Sequence, residues 1–466
     1  MGKSRRIDLV AEMADAQLGD PRRNERLARI VRAVSSAPEK SFPSLLDPSQ
    51  LEGLYRFLAN ENFEASAVLE PHVQATLKRC EAAKAVVIAH DTTEFNFGKT
   101  KREGLGRLTH GESRGFFGHF ALAMRGDETR QPLGVLGFEA MFRREERKKR
   151  RSHAMDAHDP DNERLRWRRM LKRMSDALPR GVEAVHVMDR EADSYSLFAE
   201  MIRGEDRFVV RCSRDRNLGG DHEGEKISEA LAHTDAVLER EVPLTARKKS
   251  VFPSYRRLHP PRAQRMAKLK VSAITPTIPR PITSRHSPEE TLTLNLVHVY
   301  EVDAPEGEPP VEWQLWTNLP IATTEQIARV VDAYRSRWVI EEYFKALKTG
   351  CAYESRQIES LQGLLRALAI FIPVAWQLLL LRSTARDLPQ GPVVALTAMQ
   401  IECMRALCRK RKMIISAKPT AREAMLGVAC LGGHLKRNGD PGWMVLARGL
   451  TTLLAAEVGY RAALDL

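Results

Sequence analysis

Residues 1 to about 75 read as helical from their apolar spacing. Within them, Ala16 to Val34 (AQLGDPRRNERLARIVRAV) offers Asp20 as an N-cap with Pro21 just inside the helix. From Lys84 the texture changes. AVVIAHD (Ala85 to Asp91) is a short apolar run ending in a carboxylate, and GHFALAM and PLGVLGFEAMF are further strand candidates. A basic stretch, Arg143 to Arg151, precedes a helical pattern from Asn162 to Met174. EAVHVMD (Glu183 to Asp189) is another strand ending in a carboxylate, READSYSLFAEMI a helix, and RFVVR (Arg207 to Arg211) a fifth strand. Three strands, helix, strand, helix, strand is the order of an α/β core.

Residues 212–311 break that rhythm. Alternating stretches such as KLKVSAI and LTLNLVHVYEV predict an antiparallel β module inserted in the core. EWQLWTNLP then leads into a helix near Thr324, and the chain is mostly helical from about Ala385. The most hydrophobic run, Leu364 to Leu381, carries Arg366, Pro373 and Gln377, which favours a buried helix over a membrane span. The pattern thus divides the chain into 1–75, 76–211, 212–311, 312–384 and 385–466.

At 466 residues, with 43% hydrophobic and 29% charged positions, this is the composition of a folded multidomain protein. Lys and Arg outnumber Asp and Glu by 73 to 60, a formal charge of +13 that favours a polyanionic partner. Anionic lipid or plain solubility would also be served by it. The six cysteines form no C-x-x-C pair and the first residues lack an apolar signal core, so reduced thiols in a cytoplasmic protein are expected.

Phosphodiester chemistry with metal ions needs several hard oxygen ligands on rigid elements. Two Mg²⁺ ions roughly 3.5–4 Å apart can serve both the attacking and the leaving oxygen, and Mn²⁺ would satisfy the same ligands. Asp91 and Asp189, each closing a strand, are suited to such a site. Either alone equals a common turn former. On a wheel of about 100° per residue, Tyr334, Arg337, Glu341, Lys345 and Lys348 share an arc of roughly 80°, leaving Ile340, Tyr343, Phe344 and Leu347 to pack. An exposed face with a Glu341–Lys345 pair would explain part of this. A metal-ligating Glu beside phosphate-gripping cations explains the whole stripe. Arg22, Arg23 and Arg26 make the early helix basic, which suits a phosphate backbone or a solvated face equally.

The stripe Y-x2-R-x3-E-x6-K, at Tyr334, Arg337, Glu341 and Lys348, resembles the signature of insertion-sequence transposases of the IS-four kind, and the wider match is to the Tn-five type. AHDTTEFNF around Asp91 and VMDREADSY around Asp189 are similar to that family's two aspartate motifs. RWVIEEYFKALKTG, SRGFFGH, RFVVR, LGDPRR, EGLYRFL and LGGHLKRNGDPGW also look like family segments, in colinear order.

The resemblance implies an RNase H-like core, a mixed sheet with flanking helices, interrupted by the β insertion. It implies a helical N-terminal domain that binds transposon ends and a helical C-terminal domain that dimerises. Carried over by position, Asp91, Asp189 and Glu341 would bind two Mg²⁺ ions. Tyr334, Arg337, Lys345, Lys348 and Arg211 would hold phosphates of double-stranded DNA, at transposon ends and target. Trp313 would stack an extruded base, or else be a core strand residue. Trp338 would pack or touch DNA, and Arg262 and Arg265 would line a DNA channel. The expected activity is cut-and-paste transposition through a hairpin by a homodimer. An inactive DNA-binding regulator and a stand-alone nuclease on the same fold are the rivals.

Overall fold

The computed structural model describes residues 7–109, 112–143, 165–244, 260–435 and 439–464, with Glu163, Ala246, Arg247 and Lys249. The basic run expected at Arg143 to Arg151 lies outside the described residues after Arg143.

Helices open the chain: α1 (Leu9–Met13), α2 (Pro21–Ser36), α3 (Phe42–Leu45), α4 (Pro48–Leu58) and α5 (Ala65–Ala83). Asp20 caps α2 by accepting from the Arg22 amide, with Pro21 in the first turn, as the sequence predicts. Strands follow as β1 (Ala85–Asn96), β2 (Gly106–Arg107), β3 (Arg114–Arg125) and β4 (Pro132–Met141), then α6 (Leu165–Ala177), β5 (Glu183–Met188), α7 (Tyr195–Arg203) and β6 (Arg207–Arg211). Next are α8 (Ile227–Ala232), β7 (Leu238–Leu244), β8 (Arg265–Ile274), β9 (Thr277–Pro279), β10 (Thr291–Thr293), β11 (Asn295–Val302) and β12 (Glu312–Thr317). Helices close the chain: α9 (Thr324–Ser336), α10 (Trp338–Lys345), α11 (Leu361–Asp387), α12 (Ala398–Lys410), α13 (Ala421–Leu431) and α14 (Trp443–Leu464). The architecture is α/β with mixed strand pairing, consistent with an RNase H-like core.

The chain divides into two compact units. The first comprises Met1–Lys149, Asp176–Glu183 and Trp338–Leu466. Its strands pair antiparallel in the order β1-β3-β4, with β2 on the outer part of β3. Against them lies α11, the one described helix long and apolar enough to cross a membrane, with 94% of its most apolar window buried in the protein. Its polar side chains are satisfied where they are buried. Arg366 donates to the carbonyls of Leu58 (2.8 Å) and Phe63 (3.1 Å), and Gln377 donates to that of Ala395 (3.3 Å). A buried guanidinium left without acceptors would cost about 3 kcal/mol or more. Its Trp376 donates to Pro132 O (3.1 Å) while Arg79 of α5 stacks on the ring, which joins α5, α11 and β4.

The second unit comprises Arg150–Ser175 and Ala184–Arg337. Here β5 and β6 run parallel, and antiparallel ladders continue through β12, β11, β8 and β7. Its core gathers Trp167, Leu171, Met188, Phe198, Phe208, Val210 and Trp316. Phe198 and Phe208 stack at 5.6 Å. The antiparallel β module expected at 212–311 contributes strands to this ladder. Its strands β7, β8 and β11 extend the sheet of β5 and β6, because β12 carries β6 on one edge and β11 on the other. Only the short β9–β10 pair stands apart from that ladder among the described strands.

Candidate active site

In the first unit, Asp91 stands within β1 and not at its end, which corrects the sequence expectation. The run Thr92 to Asn96 is less apolar than Val86 to Ala89 but stays paired with β3, so the strand continues. Asp91 faces Phe120 across the ladder, and directly opposed residues share a face of the sheet. The Phe120 ring meets Tyr343 (5.9 Å) and Phe344 (5.5 Å) of α10. The face bearing Asp91 is therefore the one α10 covers, and α10 carries Glu341 in its first turn. Asp91 Oδ1 accepts from the Thr92 amide (2.8 Å), and the Thr92 hydroxyl bonds to His119 Nδ1 (2.9 Å). His119 belongs to the SRGFFGH segment, whose part beside Asp91 the sequence did not reveal.

The signature stripe is not one helix. α9 ends at Ser336, Arg337 is the joint, α10 ends at Lys345, and Ala346–Gly350 forms a wider π turn. A 100° wheel loses phase at each irregularity. Lys345 is 58% exposed and pairs with Glu342 (2.6 Å), so the alternative Glu341–Lys345 pair is not the one formed. Lys348 turns inward. Its ammonium donates to Glu94 O, lies 3.7 Å from the Glu354 carboxylate and 5.3 Å from the Phe95 ring centroid. Burial lowers the Lys348 pKa, and Glu354 and Glu94 oppose that shift. Glu354 in turn accepts from the Asn96 amide (2.8 Å). Lys348 thus ties β1 to the turn after α10. Trp338 is 49% exposed.

The second unit assembles five residues that come from four sequence segments, Tyr334 and Arg337 sharing one. Asp189 follows β5 and caps a 3-10 turn, Arg190–Ala192, by accepting from the Glu191 amide (2.9 Å). Arg211 ends β6, and its guanidinium donates to Glu312 O (3.1 Å). Met188 lies beside Val210 in the parallel ladder, so Asp189 and Arg211 leave neighbouring strand ends. Tyr334, from α9, is buried, with the guanidiniums of Arg211 and Arg337 beside its phenol. Burial pushes this phenol up, Arg337 and Arg211 pull it down, and the charge of Asp189 raises it again. Burial likewise lowers the Arg211 pKa, Tyr334 offsets this, and Arg190 and Arg337 lower it further. Trp313 is half-buried on β12 and meets the Tyr334 ring edge-on at 5.5 Å. Its neighbour Trp316 is the core residue, fully buried. Arg190 was not singled out from sequence, although it directly follows Asp189.

Other basic candidates differ in availability. Arg22 is 91% exposed. Arg23 donates to Leu18 O (2.9 Å), and Arg26 lies so close to Gly53 that a Cβ there would come within 1.5 Å of it. Arg262 has Arg247 as a bridge partner and a cationic neighbour, which, after burial, lowers its pKa. Arg265, expected from the sequence to line a DNA channel, has two carboxylate partners in the structure. It is committed to Glu301, whose side chain is 1% exposed, and to Glu308 (2.9 Å). Breaking a pair that holds a buried carboxylate costs about 3–5 kcal/mol, which DNA would have to repay. Among the described residues, no group of three or more His, Cys, Asp or Glu is gathered closely enough to hold a metal ion.

Comparison with known proteins follows these lines. Residues 9–63 match the family model for transposase DNA-binding, and residues 168–372 match that for the transposase DDE domain. Together the matches support a DNA transposase. More narrowly they support a DDE transposase, whose domain in general implies dependence on divalent metal. The first match contains Arg22, Arg23 and Arg26, and the second contains Asp189, Arg211, Trp313, Tyr334, Arg337 and Glu341; Asp91 precedes it. Among solved structures the chain is similar to a piggyBac transposase synaptic complex with hairpin DNA, at 8% identity and TM-score 0.36, covering 79% of this chain and 67% of that one.

Proposed function

We propose that this chain is a cut-and-paste transposase of the Tn-five type, using Asp91, Asp189 and Glu341 on double-stranded DNA. The observation that carries the proposal is the group around Asp189. A carboxylate, three guanidiniums (Arg190, Arg211, Arg337), a phenol and an indole stand together at neighbouring strand ends. A folded core has no need to bury Tyr334 between cations, whereas a phosphate beside Asp189 would take their charge.

The donor chemistry fits two Mg²⁺ ions, since Asp91, Asp189 and Glu341 offer only carboxylate oxygens, and Mn²⁺ would fit as well. Bound there, the ions would activate the attacking oxygen and stabilise the leaving one. Arg211, Arg337 and Tyr334 would orient the scissile phosphate, and Lys345 would add charge from the exposed side of α10. Trp313 and Trp338 are the aromatic surfaces for an extruded base. Water attacks at each transposon end and frees a 3′-OH. That hydroxyl attacks the opposite strand to form a hairpin, a second water opens it, and the new 3′-OH attacks target DNA. Each step is an in-line displacement at phosphorus, so one site can serve all of them. Two subunits would hold the two ends.

The test is incubation with the DNA flanking its gene, with Mg²⁺ or chelator, scored for nicks, hairpins and joined product. Hairpins and joined 3′ ends are the expected result. Nicking without joining would make it a nuclease, and binding without nicking a regulator. Wild-type nicking by Glu341→Gln would refute the assignment.

A further inference from the structure

We propose that Asp193 is a positioning residue for Asp189, fastening the turn that carries Asp189 to the loop that leaves β6. The inference rests on reading Asp189 as a metal ligand. Asp193 closes the 3-10 turn that Asp189 opens, its amide donating to Arg190 O (3.3 Å). Its carboxylate is fully buried, at 0% side-chain exposure, so it reaches neither DNA nor a metal itself. Its side-chain partners come from the segment that follows β6. One oxygen accepts from Ser213 N (2.7 Å) and Ser213 Oγ (2.9 Å), and the other takes the Arg216 guanidinium. Arg216 lies 5.8 Å from the Trp316 ring centroid, and Trp316 is core.

The link therefore runs from the Asp189 turn through Asp193 to Ser213, Arg216 and the buried sheet. Ser213 is two residues beyond Arg211. The element Asp193 holds is thus the one that sets the separation of Asp189 from Arg211. A buried carboxylate serving only stability could bond anywhere. This one joins the two loops whose spacing the chemistry uses. The opposite side of the turn has a weaker restraint, because Glu191, which Arg166 holds, is 61% exposed. Asp193 is the restraint that solvent cannot loosen.

The experiment titrates Mn²⁺ into the full chain, followed by electron paramagnetic resonance, beside cleavage of flanking-end DNA, end-DNA affinity and thermal unfolding. The variants are Asp189→Asn, Asp193→Asn and the milder Ser213→Ala. Asp193→Asn is expected to weaken Mn²⁺ binding and cleavage by about 10–100-fold, as loss of a partner behind a ligand does. Ser213→Ala should move both in the same direction by less, with end affinity and unfolding close to wild type. If Asp193→Asn folds poorly, the Ser213→Ala shift decides alone. Wild-type Mn²⁺ affinity in both folded variants, with Asp189→Asn impaired, would overturn the positioning role and leave the wider reading intact. Wild-type Mn²⁺ affinity in Asp189→Asn would overturn both.

Discussion

The two units support their acidic residues by opposite means. Around Asp91 and Glu341 the support is aromatic: Phe120, Tyr343 and Phe344 set helix α10 on the sheet, and Lys348 is spent on Glu94 and Glu354. Around Asp189 the support is cationic, with Arg211 and Arg337 about Tyr334 and Arg190 near Arg211. The Y-x2-R-x3-E-x6-K signature is consequently two devices in one sequence motif. Tyr334 and Arg337 belong to the second unit, Glu341 and Lys348 to the first. One half fixes geometry and the other supplies charge.

The largest expected effect sharpens this contrast through acid. Burial lowers His186 on β5 to about 4 from 6.5. The folded state resists its protonation, so the unfolded state binds more protons as pH falls. The stability it contributes is complete above pH 6.5 and is lost between there and about 4, up to about 3 kcal/mol. Denaturant midpoints at pH 7.5 and 4.5 should differ by less in His186→Asn; an unchanged difference would contradict this. In the first unit, Gly449 on α14 sits against α13, where a Cβ would come 1.8 Å from Val428 O. Gly449→Ala should cost about 1–3 kcal/mol by forcing those helices apart, read by chemical denaturation.

Lys348→Ala should cost stability, about 1–2 kcal/mol, since it leaves Glu94 O and Glu354 without their ammonium. Arg211→Ala should cost little stability and mainly cleavage. Equal stability losses in the two would erase the distinction between the halves. Smallest is Tyr334→Phe, which removes only the hydroxyl between Arg211 and Arg337. Cleavage should fall about tenfold, roughly one hydrogen bond to a charged group, with folding unchanged.

Most strands and helices were legible because their patterns are local. The order of β1, β3, β4, α6, β5, α7 and β6, the Asp20–Pro21 cap and the burial of α11 all follow from neighbouring residues. What escaped depends on distant partners. Asp91 is mid-strand because β3 continues opposite Thr92 to Asn96. Arg265 is committed because Glu301 and Glu308, 36 and 43 residues away, meet it across the sheet. The helical wheel failed at Arg337 and at Ala346–Gly350, where packing breaks the helix that periodicity extends. Apart from Arg190, the Asp189 group was legible as separate residues, and its assembly was not.

The central proposal is that Asp91, Asp189 and Glu341 act as one catalytic set. The direct measurement is end cleavage by Asp91→Asn, Asp189→Asn, Glu341→Gln and each pair of these, with end binding measured alongside. The account expects every single variant to fall to background while still binding DNA, and the double variants to fall no further, as residues acting as a unit do. Any single variant that cleaves within about tenfold of wild type (about 1.4 kcal/mol) would contradict it.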